Sequence, residues 1–156
     1  MAKGFTHLNE EGNAHMVDVG AKAVTERVAV AEAMVIMSDA VRTRLFAGDL
    51  PKGDALGVAR VAAIMAAKQT AMLVPLCHPI AIDGVDVDIT EHEAGVRIVV
   101  TARTSAKTGI EMEAITAASI GAVAVYDMVK GLDRGVEIGP VRLLHKSGGK
   151  SGSWDR

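Results

Sequence analysis

The sequence predicts an α+β fold, an antiparallel sheet covered by helices in a ferredoxin-like split βαβ sandwich with one added helix. Three observations predict it. Period-two alternation of apolar residues occurs in four separate stretches. Helical spacing marks the segments that begin at Ser38, Asp54 and Ile110. The resulting order of strand, two helices, two strands, helix and strand is that of a split βαβ unit with an extra helix.

The first strand is read from Val24 to Met37, VTERVAVAEAMVIM, where Val28, Val30, Met34 and Ile36 fall on one face and Glu32 interrupts them. Ser38 then offers an N-cap, and Val41, Leu45 and Phe46 recur at helical spacing as far as Gly48. LPKGD is a turn carrying Lys52. Asp54 caps a second helix whose apolar stripe is Val58, Val61, Ile64, Met65 and Met72, and which ends before Pro75. Pro79–Thr90 sets Val85, Val87 and Ile89 against Asp86 and Asp88, and Gly95–Thr104 alternates likewise, with EHEAG as the hairpin loop between them. Ile110–Lys130 has no proline, is rich in Ala, and forms the longest helix, ended by Gly131. Val136–Leu144 is the last strand, broken by Gly139 and Pro140.

A chain of 156 residues, 49% of them hydrophobic and 23% charged, suits one domain over 1–156 with a real core. Residues 1–20 and the tail 147–156, with its low-complexity KSGGKSGS, are expected to be mobile. Aromatic residues make up only 3%, so Ala, Val, Ile, Leu and Met must build the core, and apolar surface is left to close against other subunits. A net charge of −2 gives no field that would recruit a nucleic-acid backbone, so any anion site must be local. One cysteine forms no intrachain disulfide, MAKGFTHLNEEGN lacks the apolar run of a secretory signal, and the expected location is the cytoplasm. No segment reads as the roughly 18 apolar residues of a membrane span, because Thr116 and Ser119 interrupt Ala114–Tyr126.

Four constellations carry possible chemistry. In Leu73–Ile80, two prolines pin Leu76, Cys77 and His78. Adjacent side chains on an extended segment point apart, so Cys77 and His78 neither pair nor chelate one ion. No CxxC, HxH or HExxH pattern completes a metal site, so neither metal nor cofactor is expected. The stretch is either a rigid loop with a buried thiol or the wall of a ligand site. In KTGIEMEA, Glu111 and Glu113 either complement a helix N-terminus or accept hydrogen bonds from a guanine-like N–H edge. In YDMVK, Asp127 and Lys130 share a face, as an exposed ion pair or as a functional one, since an aspartate inside an apolar run is expensive unless paired. Finally, Lys52, Lys68, Lys130, Lys146 and Lys150 are candidates for phosphate oxygens. GGKS is not a Walker A motif, because the glycine it needs is Leu144.

Glu113 and Asp127 lie fourteen residues apart on the long helix, so they face one way but stand about 21 Å apart. If both serve one small ligand, the site is assembled from two chains. Gly121, Ala117, Ala118 and Ala124 would let that helix pack closely on another helix or on a sheet.

Taken together, HMVDVGAKAVTERVAVAEAMV, PKGD, LCHP, KTGIEMEAITAAS, YDMVK and GPVRLLHKSGGKSG resemble, in this order and over nearly the whole chain, the MoaC family of cyclic pyranopterin monophosphate synthases. The resemblance implies a lyase of molybdenum cofactor biosynthesis, which converts 3′,8-cyclo-7,8-dihydro-GTP to cyclic pyranopterin monophosphate with loss of pyrophosphate. It further implies a ferredoxin-like fold, a hexamer of three dimers with sites at subunit interfaces, and handover of substrate from the radical enzyme that makes it. Carried over by position, Asp127 takes a general acid/base role with Lys52 and Lys130 beside it. Leu76, Cys77, His78, Met112 and Glu113 line the substrate, and Lys68, Glu111 and Lys146 join them. A nucleotide- or RNA-binding module of the same shape is the competing reading. RNA-binding sheets stack bases on aromatic side chains, and this chain has two Phe, one Tyr and one Trp.

Overall fold

The computed structural model describes residues 7–9, 11–150 and 152–156. Residues 1–6, 10 and 151 lie outside the described residues, and with them parts of the two end segments set apart above. The elements are β1 (Thr25–Ile36), α1 (Asp39–Phe46), α2 (Ala55–Leu73), β2 (Gly84–His92), β3 (Gly95–Ala106), α3 (Glu111–Val129), β4 (Glu137–Ser147) and β5 (Trp154–Asp155). They form one antiparallel sheet in the order β2-β3-β1-β4-β5, with α2 and α3 packed on it. This is the ferredoxin-like arrangement with α1 added and a two-residue strand at the edge.

β1 is the centre of the sheet, paired with β3 from Thr25↔Ala106 to Ile36↔Gly95. Alternation puts Ala29, Ala31, Ala33 and Val35 on the helix-covered face, and all four are fully buried. The larger Val28, Val30, Met34 and Ile36 look the other way. There Glu32, only 3% exposed, accepts from Arg97 Nε at 2.7 Å and from Arg142 Nε at 2.6 Å. Burial pushes its carboxyl up, but the bonds and charges of the two guanidiniums outweigh that and hold it below its ordinary value.

α2 likewise buries its small side chains. Its buried side is Ala55, Ala59, Ala63, Ala66, Ala67 and Thr70, not the stripe of larger residues: Val58, Val61, Met65 and Met72 are 48, 57, 54 and 87% exposed. The reason is distance. α3 turns Ala114, Ala117, Ala118, Gly121 and Ala122 inward, and a Cβ on Gly121 would lie 3.3 Å from the Ala63 Cβ and 3.6 Å from Ile98. Backbones this close admit only small side chains. The small stripe of α3 is thus used within the chain.

Other boundaries move for local reasons. Asp54 does cap α2, accepting from Gly57 N at 2.8 Å, whereas Ser38 begins α1 without a side-chain cap bond. β2 starts at Gly84 rather than at Pro79, since residues 79–83 are a connection held by Thr104 Oγ1 donating to Ala81 O at 2.6 Å. The hairpin closes on Glu93 and Ala94 alone, with Gly95 at φ +145° where a Cβ would run into the Val35 carbonyl. Gly131 follows α3 without taking a positive φ. β4 runs on to Ser147, and its register on β1 shifts beside Gly139–Pro140. α2 and α3, each 19 residues, also correct the expectation about spans, for both are long and apolar enough to cross a membrane. They lie flat on the sheet instead, half of α3's apolar window buried there.

Candidate functional site

Three chain segments meet at the N-terminal end of α3: the β3–α3 connection 107–110, the end of β4 with the glycines after it, and the turn that follows α2. Residues 17–22 close the group. Together they line two adjoining cavities of about 640 and 340 Å³, which share Lys22, Thr108, Gly109 and Glu111.

The larger cavity is basic. Lys22, Arg27, Lys107, Lys146 and Lys150 line it against one carboxylate, Glu111. Arg27, from β1, donates through Nε to Ala106 O at 3.1 Å and through Nη2 to Lys107 O at 3.3 Å, which fixes its guanidinium. Lys146 Nζ donates to Glu111 Oε1 at 3.2 Å. Gly148 and Gly149 have φ of +100° and +69°, and a Cβ on Gly149 would come within 2.6 Å of Arg27 Nη1. Only glycine lets this turn lie against the guanidinium. In a chain of net charge −2, five cations around one cavity make a local positive field suited to several anionic oxygens.

The smaller cavity is walled by Leu76, Cys77, His78, Glu111 and Met112. Residues 74–77 are a turn closed by Cys77 N–H to Val74 O at 3.0 Å, which corrects the extended geometry read from the two prolines. His78 Nε2 donates to Val17 O at 2.7 Å, leaving Nδ1 without a partner among the described residues and tying Val17 to the wall. Cys77 Sγ lies 3.7 Å from Glu113 Oε1. Burial first, and then the Glu113 charge, push the thiol up to about 11, so it is no thiolate at neutral pH. Glu113 is 2% exposed and stands behind Cys77; its Oε2 has no partner among the described residues, and desolvation raises its carboxyl above the ordinary 4.5.

The third cluster is elsewhere. Near the C-terminal end of α3, Asp127 accepts from Lys130 Nζ at 2.8 Å on Oδ1 and from Lys52 Nζ at 2.8 Å on Oδ2, and Lys52 also reaches Asp127 O at 2.7 Å. The hydrogen bond from Lys130, then that from Lys52, hold the Asp127 carboxyl at about 2, while Lys130 is raised by the same contact. All three side chains are about half exposed, so Asp127 is paired at the surface rather than sunk in the apolar run around it. Lys68 is exposed on α2 and lines neither cavity. Of the residues singled out from sequence, Leu76, Cys77, His78, Glu111, Met112 and Lys146 come together, with Glu113 just behind. Lys52, Asp127 and Lys130 form a separate group a helix length away. Lys22 and Arg27 were not singled out: Arg27 shares the helix-covered face of β1 with Ala29 and Ala31, at the end where that face opens into the cavity, and no local pattern marks it. Among the described residues, no three His, Cys, Asp or Glu side chains converge as a metal would require.

Comparison with known proteins gives a consistent picture. The model of the MoaC family matches residues 16–149. A cyclic pyranopterin monophosphate synthase 2 of Mycobacterium tuberculosis is 50% identical over 152 residues, 97% of this chain and 91% of the relative. A cyclic pyranopterin monophosphate synthase of Pelotomaculum thermopropionicum is 50% identical over 155 residues, 98% of this chain and 91% of its own length. That of Novosphingobium aromaticivorans is 49% identical over 150 residues, 96% of each chain.

Proposed function

The chain belongs to the MoaC family, and on that premise we propose that it is a lyase of molybdenum cofactor biosynthesis that makes cyclic pyranopterin monophosphate at the two cavities beside the start of α3. Its substrate is a small molecule, 3′,8-cyclo-7,8-dihydro-GTP, and pyrophosphate is released. The observation that carries this reading is the change in character between the adjoining cavities. One is ringed by five cations and a glycine turn, which fits a triphosphate. The other offers Glu111, the free Nδ1 of His78, and the main chain of Leu76 and Cys77, which fits the N–H edges of a purine-derived ring. Cys77 serves as wall and not as nucleophile.

The Asp127 cluster is the acid/base end of the same site, contributed by a neighbouring chain. As it stands, Asp127 is an ionised carboxylate neutralised by two ammonium groups. When Lys52 and Lys130 turn to substrate oxygens, the bonds that depress its pKa are withdrawn and it becomes able to take and return a proton. Lys68 is assigned to the same shared region. We place the working form as a hexamer of three dimers in the cytoplasm, supplied by the radical enzyme that forms the precursor. Two features support assembly: the outward stripe Val58, Val61, Met65 and Met72 on α2, and the helix-length gap between two half-sites.

Turnover of the cyclised precursor by purified protein tests the proposal. Cyclic pyranopterin monophosphate and pyrophosphate should appear in equal amounts. Tight binding of the precursor without product would make the protein a nucleotide sensor instead.

A further inference from the structure

The glycine turn that lines the basic cavity is held at both ends, and the far end is fastened by residues that touch no part of the cavity. β4 leads into the turn at Lys146 and Ser147, and the chain returns as β5, pairing His145↔Asp155 and Lys146↔Trp154. Four contacts make this return more than a frayed end. His145 Nδ1 donates to Asp155 Oδ1 at 2.7 Å, Arg156 N donates to Leu144 O at 3.0 Å, Arg156 Nε donates to Leu143 O at 2.8 Å, and the Arg156 guanidinium stacks 5.7 Å over the Trp154 ring. Between the fastened ends, Gly148, Gly149 and Gly152 all have positive φ, a conformation that glycine adopts but does not prefer over others. Unfastened, such a turn would sample many shapes, and Lys150 with it.

We propose that Asp155 and Arg156 are positioning residues for the anion site: by clamping β5 to β4 they hold the glycine turn and Lys150 in the shape that receives the phosphate end of the substrate. The inference rests on the reading of the basic cavity given above. It assigns to the chain's last two residues an effect on affinity exerted through the loop, without contact to the ligand. Because the loop is ordered before the ligand arrives, the ordering cost is not charged to binding.

The test uses full-length Asp155→Ala, Asp155→Asn and wild type, with inorganic pyrophosphate as the probe in calorimetry and hydrogen exchange read at residues 148–150. Asp155→Ala should weaken pyrophosphate binding about tenfold and speed exchange in the turn. Asp155→Asn, whose amide oxygen still accepts from His145 Nδ1–H, should stay within threefold of wild type. With the full substrate, KM should rise by more than kcat falls. An Asp155→Ala affinity within threefold of wild type, whether or not the melting temperature drops, would overturn the positioning role, because a merely structural clamp lowers stability without touching pyrophosphate affinity. If wild type itself binds no pyrophosphate, the reading of the cavity fails and this inference falls with it.

Discussion

Asp127 and Glu113 are two carboxylates on one helix with opposite environments. Asp127 meets two ammonium groups in solvent and is held at about 2. Glu113 is buried beside a thiol and is raised above 4.5. Replacing Asp127 by Asn removes the titratable group and keeps the shape, so turnover should fall by about 10²-fold or more with the fold unchanged by circular dichroism. For Glu113 the sign runs the other way. A carboxyl whose folded pKa is raised favours the fold fully below its unfolded value of 4.5, and that contribution is lost as pH rises through the raised value. Glu113→Gln, which has no charge to bury, should therefore melt higher than wild type at neutral pH, with the gap closing below pH 4.5. Melting curves across pH 4 to 8 decide it, and a variant that melts lower throughout would mean that Glu113 holds a polar contact worth more than its desolvation.

At the scale of elements, periodicity located every helix and the four long strands, because alternation and helical spacing follow directly from backbone geometry. It did not say which face is covered. In β1 and α2 the larger apolar residues share one face, yet Ala29, Ala31, Ala33, Ala59 and Ala63 form the core, since hydrophobicity is no guide to the distance between backbones. β5 was missed because two residues carry no period. The walls of the candidate site were legible where a motif was local, as in residues 76–78 and 111–112. They were not legible at Lys22, in the segment before β1, or at Arg27, which reaches the cavity because β1 lies between β3 and β4. The outward stripe of α2 yields a prediction of its own. Val61→Asp with Met65→Asp alters side chains more than half exposed in the single chain, so helix content should persist while the mass by sedimentation falls to a smaller species. An unchanged mass would remove this stripe from the assembly interface.

At the scale of the whole molecule, the basic cavity and the Asp127 group sit near opposite ends of α3, and the proposed site needs both. If each pocket takes its basic wall from one chain and Asp127 from another, Lys146→Ala and Asp127→Asn chains, each inactive alone, should regain activity when unfolded and reassembled together. In a randomly mixed dimer about half the molecules are hybrid, each with one intact pocket, so recovery should approach about a quarter of wild type. Recovery at background, with hybrids shown to be present, would refute the shared pocket.

α3 then sets a phase as well as a length. Each inserted residue would turn the Asp127 end by about 100° and advance it by about 1.5 Å, leaving both ends chemically intact but out of step. An insertion of four residues would nearly restore the bearing and still overshoot by about 6 Å. On the proposed shared site, the helix behaves as a gauge block between two pockets. Its residue count is constrained even where its side chains are not.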